Sequence, residues 1–316
     1  MDNIRNNSYL GKKGYTIPKS IINNEELEFI KNDLFMKPFT TIKIKDTNDP
    51  FPAYRENHNK IYLPRFYGIN RYGLPNISQI QSGIDISLEF NKTLRDYQIN
   101  IVNTYLNYVN TPICNNSPSN GNGAILEVPC GRGKTVMALN IISKLSKKTL
   151  IIVHKEFLMN QWIERINEFL PSATIGKIQA DVCDVDNKDI VIGMVQTLHS
   201  KLLPDQIVSQ FGLTVIDEVH RIGSEQFSKT LFKCITPYML GISATVERKD
   251  KLTNILYMFI GDRIYKETNR DSDNVIVRSI NYNSNDTDFN EVEYDFRGNP
   301  KYSTMISKLS NFGRRS

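Results

Sequence analysis

Between Leu88 and Leu256 the chain switches repeatedly between two hydrophobic patterns. Short apolar runs without polar alternation predict strands buried on both faces: AILEVP (124–129), TLIIVH (149–154), DIVIGMV (189–195), LTVIDEVH (213–220) and YMLGISAT (238–245). Segments with apolar residues at helical spacing lie between them: KTVMALNIISKLS (134–146), KEFLMNQWIERINEFL (155–170), TLHSKLLPDQIVSQF (197–211) and SEQFSKTLFKCI (224–235). A further one, LRDYQINIVNTYLNYV (94–109), precedes the first strand. Such alternation predicts an α/β fold, a parallel sheet flanked by helices.

The flanks differ. Residues ahead of Leu88 are rich in Asn, Tyr, Pro and Lys and predict a small α+β module. NNEELEFIKNDLFM (23–36) predicts a short helix capped by Asn24, and FTTIKIKD (39–46) a strand. KIYLPRFYGINRYGLP (60–75) mixes aromatic and basic residues. It is either a surface that stacks on nucleic acid or a module packing its own tyrosines; the second is the expectation. TPICNNSPSNGNG (111–123) is a loop by composition. After Leu256 the regular alternation is expected to stop. NVIVRSINY (274–282) reads as a strand, NSNDTDFNEVEYDFRGNP (283–300) as a linker or exposed loop, and PKYSTMISKLSNF (300–312) as a helix start. The organisation is an accessory module over 1–87, an α/β lobe over 88–262, and a strand and linker over 263–316.

Composition bounds the class. The 316 residues are 40% hydrophobic and 23% charged with a net charge of +5, which suits a soluble globular protein and admits a polyanionic partner. Cys114, Cys130, Cys183 and Cys234 form no C-x-x-C pair and have no histidine at metal-ligand spacing. That argues against a zinc site and for a reducing compartment. The first residues lack the apolar stretch of a signal peptide, and no run approaches the ~18 apolar residues of a membrane span. An intracellular, soluble protein without a membrane partner is expected.

The candidate chemistry lies where predicted strands end, as it does in parallel α/β sheets. PCGRGKT (129–135) follows one strand and opens a helix. Gly131 and Gly133 let the backbone N–H groups of Pro129-Cys130-Gly131-Arg132-Gly133 curl toward phosphates where an N–H exists. Lys134 would reach the β and γ phosphates of ATP, and Thr135 would ligate Mg²⁺. The common pattern G-x-x-x-x-G-K-[ST] asks for glycine at 128, where the chain has Val128. In LTVIDEVH, Asp217 would hold the Mg²⁺, directly or through water, and Glu218 would polarise the attacking water. Cys130, beside Lys134 at a helix start, sits where a thiol becomes reactive; a buried, inert cysteine filling the loop is the alternative.

These residues carry a resemblance. Residues 90–260 resemble the first RecA-like lobe of the superfamily 2 DExD/H-box helicases. VPCGRGKT is similar to their motif I, DEVH (217–220) to motif II, SAT (243–245) to motif III, and LRDYQ (94–98) to the Q-motif region. IIVHKEFLMNQW resembles motif Ia, and IGMVQTLHS the segment holding motif Ib or Ic. In the helicase form of motif I the conserved glycine falls at Gly131, and position 128 is a small residue. The combination resembles the branch with XPB-type, restriction-subunit-type and poxvirus transcript-release-type helicases, and the Asn- and Lys-rich chain suits a large DNA virus. Virion or host cytoplasm would then be its place.

The resemblance implies further roles. Arg95 and Gln98 would read the adenine edge, with Phe90 or Tyr97 stacking on the ring. His220 would couple the ATP site to Ser243 and Thr245. His154, Lys155, Gln196 and Thr197 would contact the phosphates of one nucleic-acid strand. Trp162, the single tryptophan, is expected in the core rather than as a wedge between bases.

Superfamily 2 motors place ATP between two RecA-like lobes, the second supplying arginine fingers. No Q-x-x-G-R-x-x-R motif follows Thr245. A second lobe is expected in cis or in trans, and the chain alone is expected to bind ATP–Mg²⁺ but hydrolyse it slowly. The function expected is an ATP-dependent helicase or translocase acting on DNA or RNA. The alternatives are a double-strand translocase without unwinding, or a non-catalytic nucleic-acid-binding or scaffolding subunit that retains a nucleotide lobe.

Overall fold

The structure, a computed structural model, describes residues 2–38, 49–111, 122–201, 203–221, 225–247, 252–267, 291–295 and 298–310. They fall into two units, Met1–Thr268 and Asn269–Ser316. Phe39–Asp46, Asn274–Tyr282, Cys114 and most of the loop 111–123 lie outside the described residues.

The first unit begins with α1 (Asp2–Asn7), β1 (Tyr9–Gly11), β2 (Gly14–Pro18), α2 (Asn24–Asp33), β3 (Phe35–Met36), β4 (Phe51–Pro52), β5 (Arg55–Glu56), β6 (Lys60–Leu63), α3 (Arg65–Tyr72) and β7 (Ile77–Ser78). β5-β6-β2-β1-β7 form a five-stranded sheet, antiparallel except for the β1–β7 pair. The cap of α2 is Asn23, not Asn24. Asn23 is extended (φ −78°, ψ 163°) and its side-chain oxygen accepts the Glu26 N–H at 2.8 Å, which makes Asn24 the first helical residue. The segment 60–75 packs inward: Ile61, Leu63, Phe66 and Tyr72 are buried.

The chain continues through α4 (Asp96–Asn110), β8 (Gly123–Glu127), α5 (Lys134–Leu145), β9 (Thr149–Val153), α6 (Glu156–Phe169), β10 (Ile175–Gln179), β11 (Val182–Cys183) and β12 (Ile190–Met194). It ends with α7 (Val195–Ser200), α8 (Asp205–Val208), β13 (Leu213–Asp217), α9 (Glu225–Leu231), β14 (Tyr238–Ser243), α10 (Thr253–Ile260) and β15 (Asp262–Lys266). One eight-stranded sheet results, in the order β11-β10-β12-β9-β13-β14-β8-β15, parallel except for β11. Alternate strand residues feed two cores. Leu126, Ile151, Val153, Val215 and Ile242 pack with α4, α5 and α6 residues. Ile125, Ile152, Ile216 and Met239 share the other core with the N-terminal sheet and α10.

The alternation runs past Leu256, contrary to expectation. Ile255, Leu256, Phe259 and Ile260 of α10 are buried, and β15 then pairs with β8. DRIYK is an edge strand with no fully buried residue, so it lacks the apolar run that marks its neighbours. Its entry needs Gly261 (φ +115°), where a Cβ would meet the Gly123 carbonyl oxygen at 2.0 Å. The expected helix 197–211 is split in two because Pro204 breaks it and caps α8.

Arg65, 1% exposed, joins the N-terminal module to the lobe. Its guanidinium donates to the carbonyls of Thr236 (3.1 Å) and Pro237 (2.9 Å), just before β14, and burial lowers its pKa to about 10. It therefore stays charged at neutral pH.

In the second unit, Tyr302–Ser310 is helical, as the sequence predicts, and Tyr294 bridges to Pro300.

Candidate nucleotide site

β8 delivers the chain into the glycine loop. Val128 is 1% exposed and its N–H donates to the Ser243 carbonyl at 2.8 Å, so position 128 extends the strand core rather than the loop. Gly131 (φ +81°) and Gly133 (φ +80°) are both left-handed. A Cβ on Gly131 would meet nothing within 4 Å, which leaves open space over the loop. Gly133 caps α5, so Lys134 and Thr135 open that helix and its free N–H groups face the same space.

Three side chains brace the loop from behind. Gln98, 6% exposed, donates to the Arg132 carbonyl at 3.0 Å and accepts the Arg95 N–H at 3.0 Å. The Tyr97 hydroxyl also donates to the Arg132 carbonyl, at 3.2 Å. The Arg132 guanidinium lies 4.4 Å from the Tyr97 ring centroid and pairs with Glu267, its Nε–H donating at 3.0 Å. Arg95 is exposed, with its guanidinium 3.4 Å from the Tyr97 hydroxyl. Phe90 stacks on Phe169 at 5.6 Å. Glu267 carried no sequence signal: it follows the polar edge strand β15.

The acidic pair stands at the end of β13. Asp217 is 6% exposed and its Oδ2 accepts the indole N–H of Trp162 at 2.9 Å. Burial pushes the Asp217 carboxyl up, against the Trp162 hydrogen bond, while nearby Glu218 raises it further and Lys134 opposes. Glu218 is left-handed at φ +52°, a conformation that costs a non-glycine residue about 1 kcal/mol or more. The Lys134 ammonium sits 4.0 Å from Glu218 Oε1 and 3.9 Å from Cys130 Sγ. Cys130 is exposed, which removes the inert-filler alternative.

Glu218 Oε2 is 3.3 Å from His220 Nδ1, and that nitrogen is 2.7 Å from Ser243 Oγ. The Ser243 hydroxyl, fully buried, donates to the Thr245 carbonyl at 2.6 Å, so its oxygen is the acceptor for a His220 Nδ1–H. Lys134, Cys130, Glu218, His220, Ser243 and Thr245 thus form one connected set.

The four residues assigned to nucleic acid divide. Gln196 is exposed and donates to the His154 carbonyl at 3.1 Å, which joins the β9–α6 and β12–α7 corners. Lys155 is exposed, its ammonium 5.7 Å from the Phe157 ring centroid. Thr197 is 8% exposed, and its hydroxyl accepts the Ala180 N–H at 3.0 Å.

The donor types fit a nucleoside triphosphate with a hard cation: an open glycine cradle, one lysine at a helix start, a threonine beside it and a buried carboxylate. The family described as "Type III restriction enzyme, res subunit" matches residues 91–248, half of the chain. The chain belongs to the superfamily 2 helicases. Among its relatives is a candidate ATP-dependent RNA helicase, L396, of Acanthamoeba polyphaga mimivirus, 32% identical over 96% of this chain and 58% of that protein. Another is the candidate ATP-dependent RNA helicase QP509L of African swine fever virus, 34% identical over 43% of this chain and 28% of that protein. A third, from Sulfurisphaera tokodaii, is named a DNA 3'-5' translocase, XPB2, and is 28% identical over 65% of this chain and 44% of that protein. The chain thus spans about half or less of the length of these curated relatives. No helix among the described residues is long and apolar enough to cross a membrane.

Proposed function

We propose that this chain carries the ATP-binding lobe of a helicase or translocase, coupling ATP hydrolysis to movement on nucleic acid. The observation that carries this is the 4.0 Å approach of Lys134 to Glu218 beneath an open glycine loop. Loop N–H groups and Lys134 would bind the phosphates, and Thr135 and Asp217 would hold Mg²⁺. Bound Mg²⁺ supplies charge neutralisation at the phosphates.

Glu218 Oε2 lies beside His220 Nδ1, with Oε1 beside Lys134. A carboxylate placed between an ammonium and an imidazole is positioned to accept the proton of a water attacking the γ-phosphate. Ser243 and His220 would carry a change at Glu218 to Thr245. Arg95, Gln98, Phe90 and Tyr97 would border the base. Gln98 would do so while its amide grips the Arg132 carbonyl, so a base displacing that bond would also move the loop. Lys155, Gln196, His154 and Thr197 would line the path of one strand, with Lys155 and Gln196 the surface contacts. A second RecA-like lobe, in the same protein or another, would complete the site and accelerate the chemistry.

Steady-state ATP hydrolysis by wild type and Glu218→Gln, with and without DNA or RNA, tests the proposal. Slow wild-type turnover that Glu218→Gln abolishes supports it. Equal rates in both proteins contradict it and favour a nucleic-acid-binding subunit that retains a nucleotide lobe.

A further inference from the structure

Trp162 has no place in the scheme above, yet its only polar atom is spent on the site. It lies on the buried side of α6, 1% exposed, among the residues that pack α4, α5 and α6 against the sheet. A buried indole N–H needs an acceptor, and a backbone carbonyl would suffice. Here the acceptor is Oδ2 of Asp217, at 2.9 Å, itself buried at the end of β13.

From this geometry we infer that Trp162 is a positioning residue for Asp217. The hydrogen bond commits one carboxylate oxygen to a rigid donor and so fixes the plane in which the carboxylate meets a nucleotide-bound divalent cation. A donor of this kind acts as the partners behind metal ligands do: it sets ligand orientation without touching the metal. It also offsets part of the cost of burying the charge, which a cavity of purely apolar side chains would leave unrelieved. The bond spans two elements, α6 and β13, so the carboxylate's direction is tied to the seating of α6 on the sheet. The inference rests on the nucleotide–Mg²⁺ reading of the site.

Because Trp162 is the single tryptophan of the chain, the protein's tryptophan emission comes from the indole bonded to Asp217. The test is ADP binding to the whole chain with Mg²⁺ and with EDTA, for wild type and Trp162→Phe, which keeps a flat aromatic body and removes the N–H. The expected result is a selective loss. Trp162→Phe binds ADP in EDTA within about twofold of wild type, while the tightening by Mg²⁺ falls by roughly tenfold or more. Wild-type tryptophan emission is also expected to change when Mg²⁺ is added to the ADP complex, and not in Asp217→Asn. An unchanged Mg²⁺ tightening in a folded Trp162→Phe overturns the inference, as does an equal loss with and without Mg²⁺. If that variant fails to fold, the emission decides: no Mg²⁺-dependent change in wild type overturns it. Absence of ADP binding by wild type overturns the nucleotide reading itself, and this inference with it.

Discussion

His220 Nδ1 and Ser243 Oγ stand 2.7 Å apart, joining the 3-10 turn after β13 (Val219–Arg221) to the end of β14. The two strands are neighbours in the sheet, so the contact links their carboxyl ends across one strand spacing. Ser243 is fully buried and passes the connection to the Thr245 carbonyl.

Ser243→Ala should therefore separate binding from coupling. Removing the hydroxyl should cost about 1 kcal/mol of stability. ADP affinity should stay within about twofold of wild type, whereas any stimulation of ATP hydrolysis by nucleic acid should fall severalfold. Paired equilibrium titrations and hydrolysis assays check this. A parallel loss of affinity would place Ser243 in binding instead.

Gly131 and Gly133 share a left-handed backbone but differ in surroundings. Gly131→Ala meets only the conformational cost, about 1–2 kcal/mol. Gly133→Ala adds a Cβ 2.4 Å from Gln98 Nε2, an atom already donating to the Arg132 carbonyl. It should cost about 1 kcal/mol more, because that hydrogen bond breaks. Denaturant unfolding of the two variants gives the difference; equal losses would show that Gln98 yields freely.

The exposed Cys130 thiol, 3.9 Å from the Lys134 ammonium, should be modified by iodoacetamide at a rate that ADP slows. Modified protein should bind ADP at least tenfold more weakly. Peptide mapping with and without ADP reads both effects. Labelling at Cys130 with intact affinity would remove this thiol from the phosphate site.

Glu26 supplies a pH dependence away from the site. Its hydrogen bonds with Arg71, and more weakly that with the Tyr72 hydroxyl, hold its carboxyl below the ordinary value of 4.5 despite burial, and Arg71 Nη2 is 2.8 Å from Oε1. A depressed folded pKa stabilises the protein above the unfolded value, and that stability is lost as pH falls through the folded pKa. The gap in unfolding free energy between wild type and Glu26→Gln should be about 1 kcal/mol at pH 7 and should close below the ordinary carboxylate value. A gap independent of pH would mean that shape, not charge, sets the effect.

What was legible in the sequence follows from how each residue is used. The five apolar strands with their helices could be read because burial on both faces writes an unbroken apolar run. β15 could not: as an edge strand it carries no buried residue. Lys134, Asp217 and Glu218 stand out in the sequence because a glycine-rich turn from strand to helix and an acidic strand end are local patterns. The sequence points Gln98 to an adenine edge, but its grip on the Arg132 carbonyl is a contact between residues 34 apart that no local pattern encodes. Trp162 illustrates the same limit. Its helical position predicts burial, and it is buried, but its N–H partner comes from a strand 55 residues on.

The central claim is that Lys134, opposite Glu218, binds the phosphates of ATP. The most direct test is calorimetric titration of Mg²⁺–ATP into wild type and Lys134→Ala at equal ionic strength. A single site in wild type, weakened at least about tenfold in a Lys134→Ala protein that unfolds as wild type does, is the predicted result. Equal binding by the two proteins, or none by wild type, would contradict it.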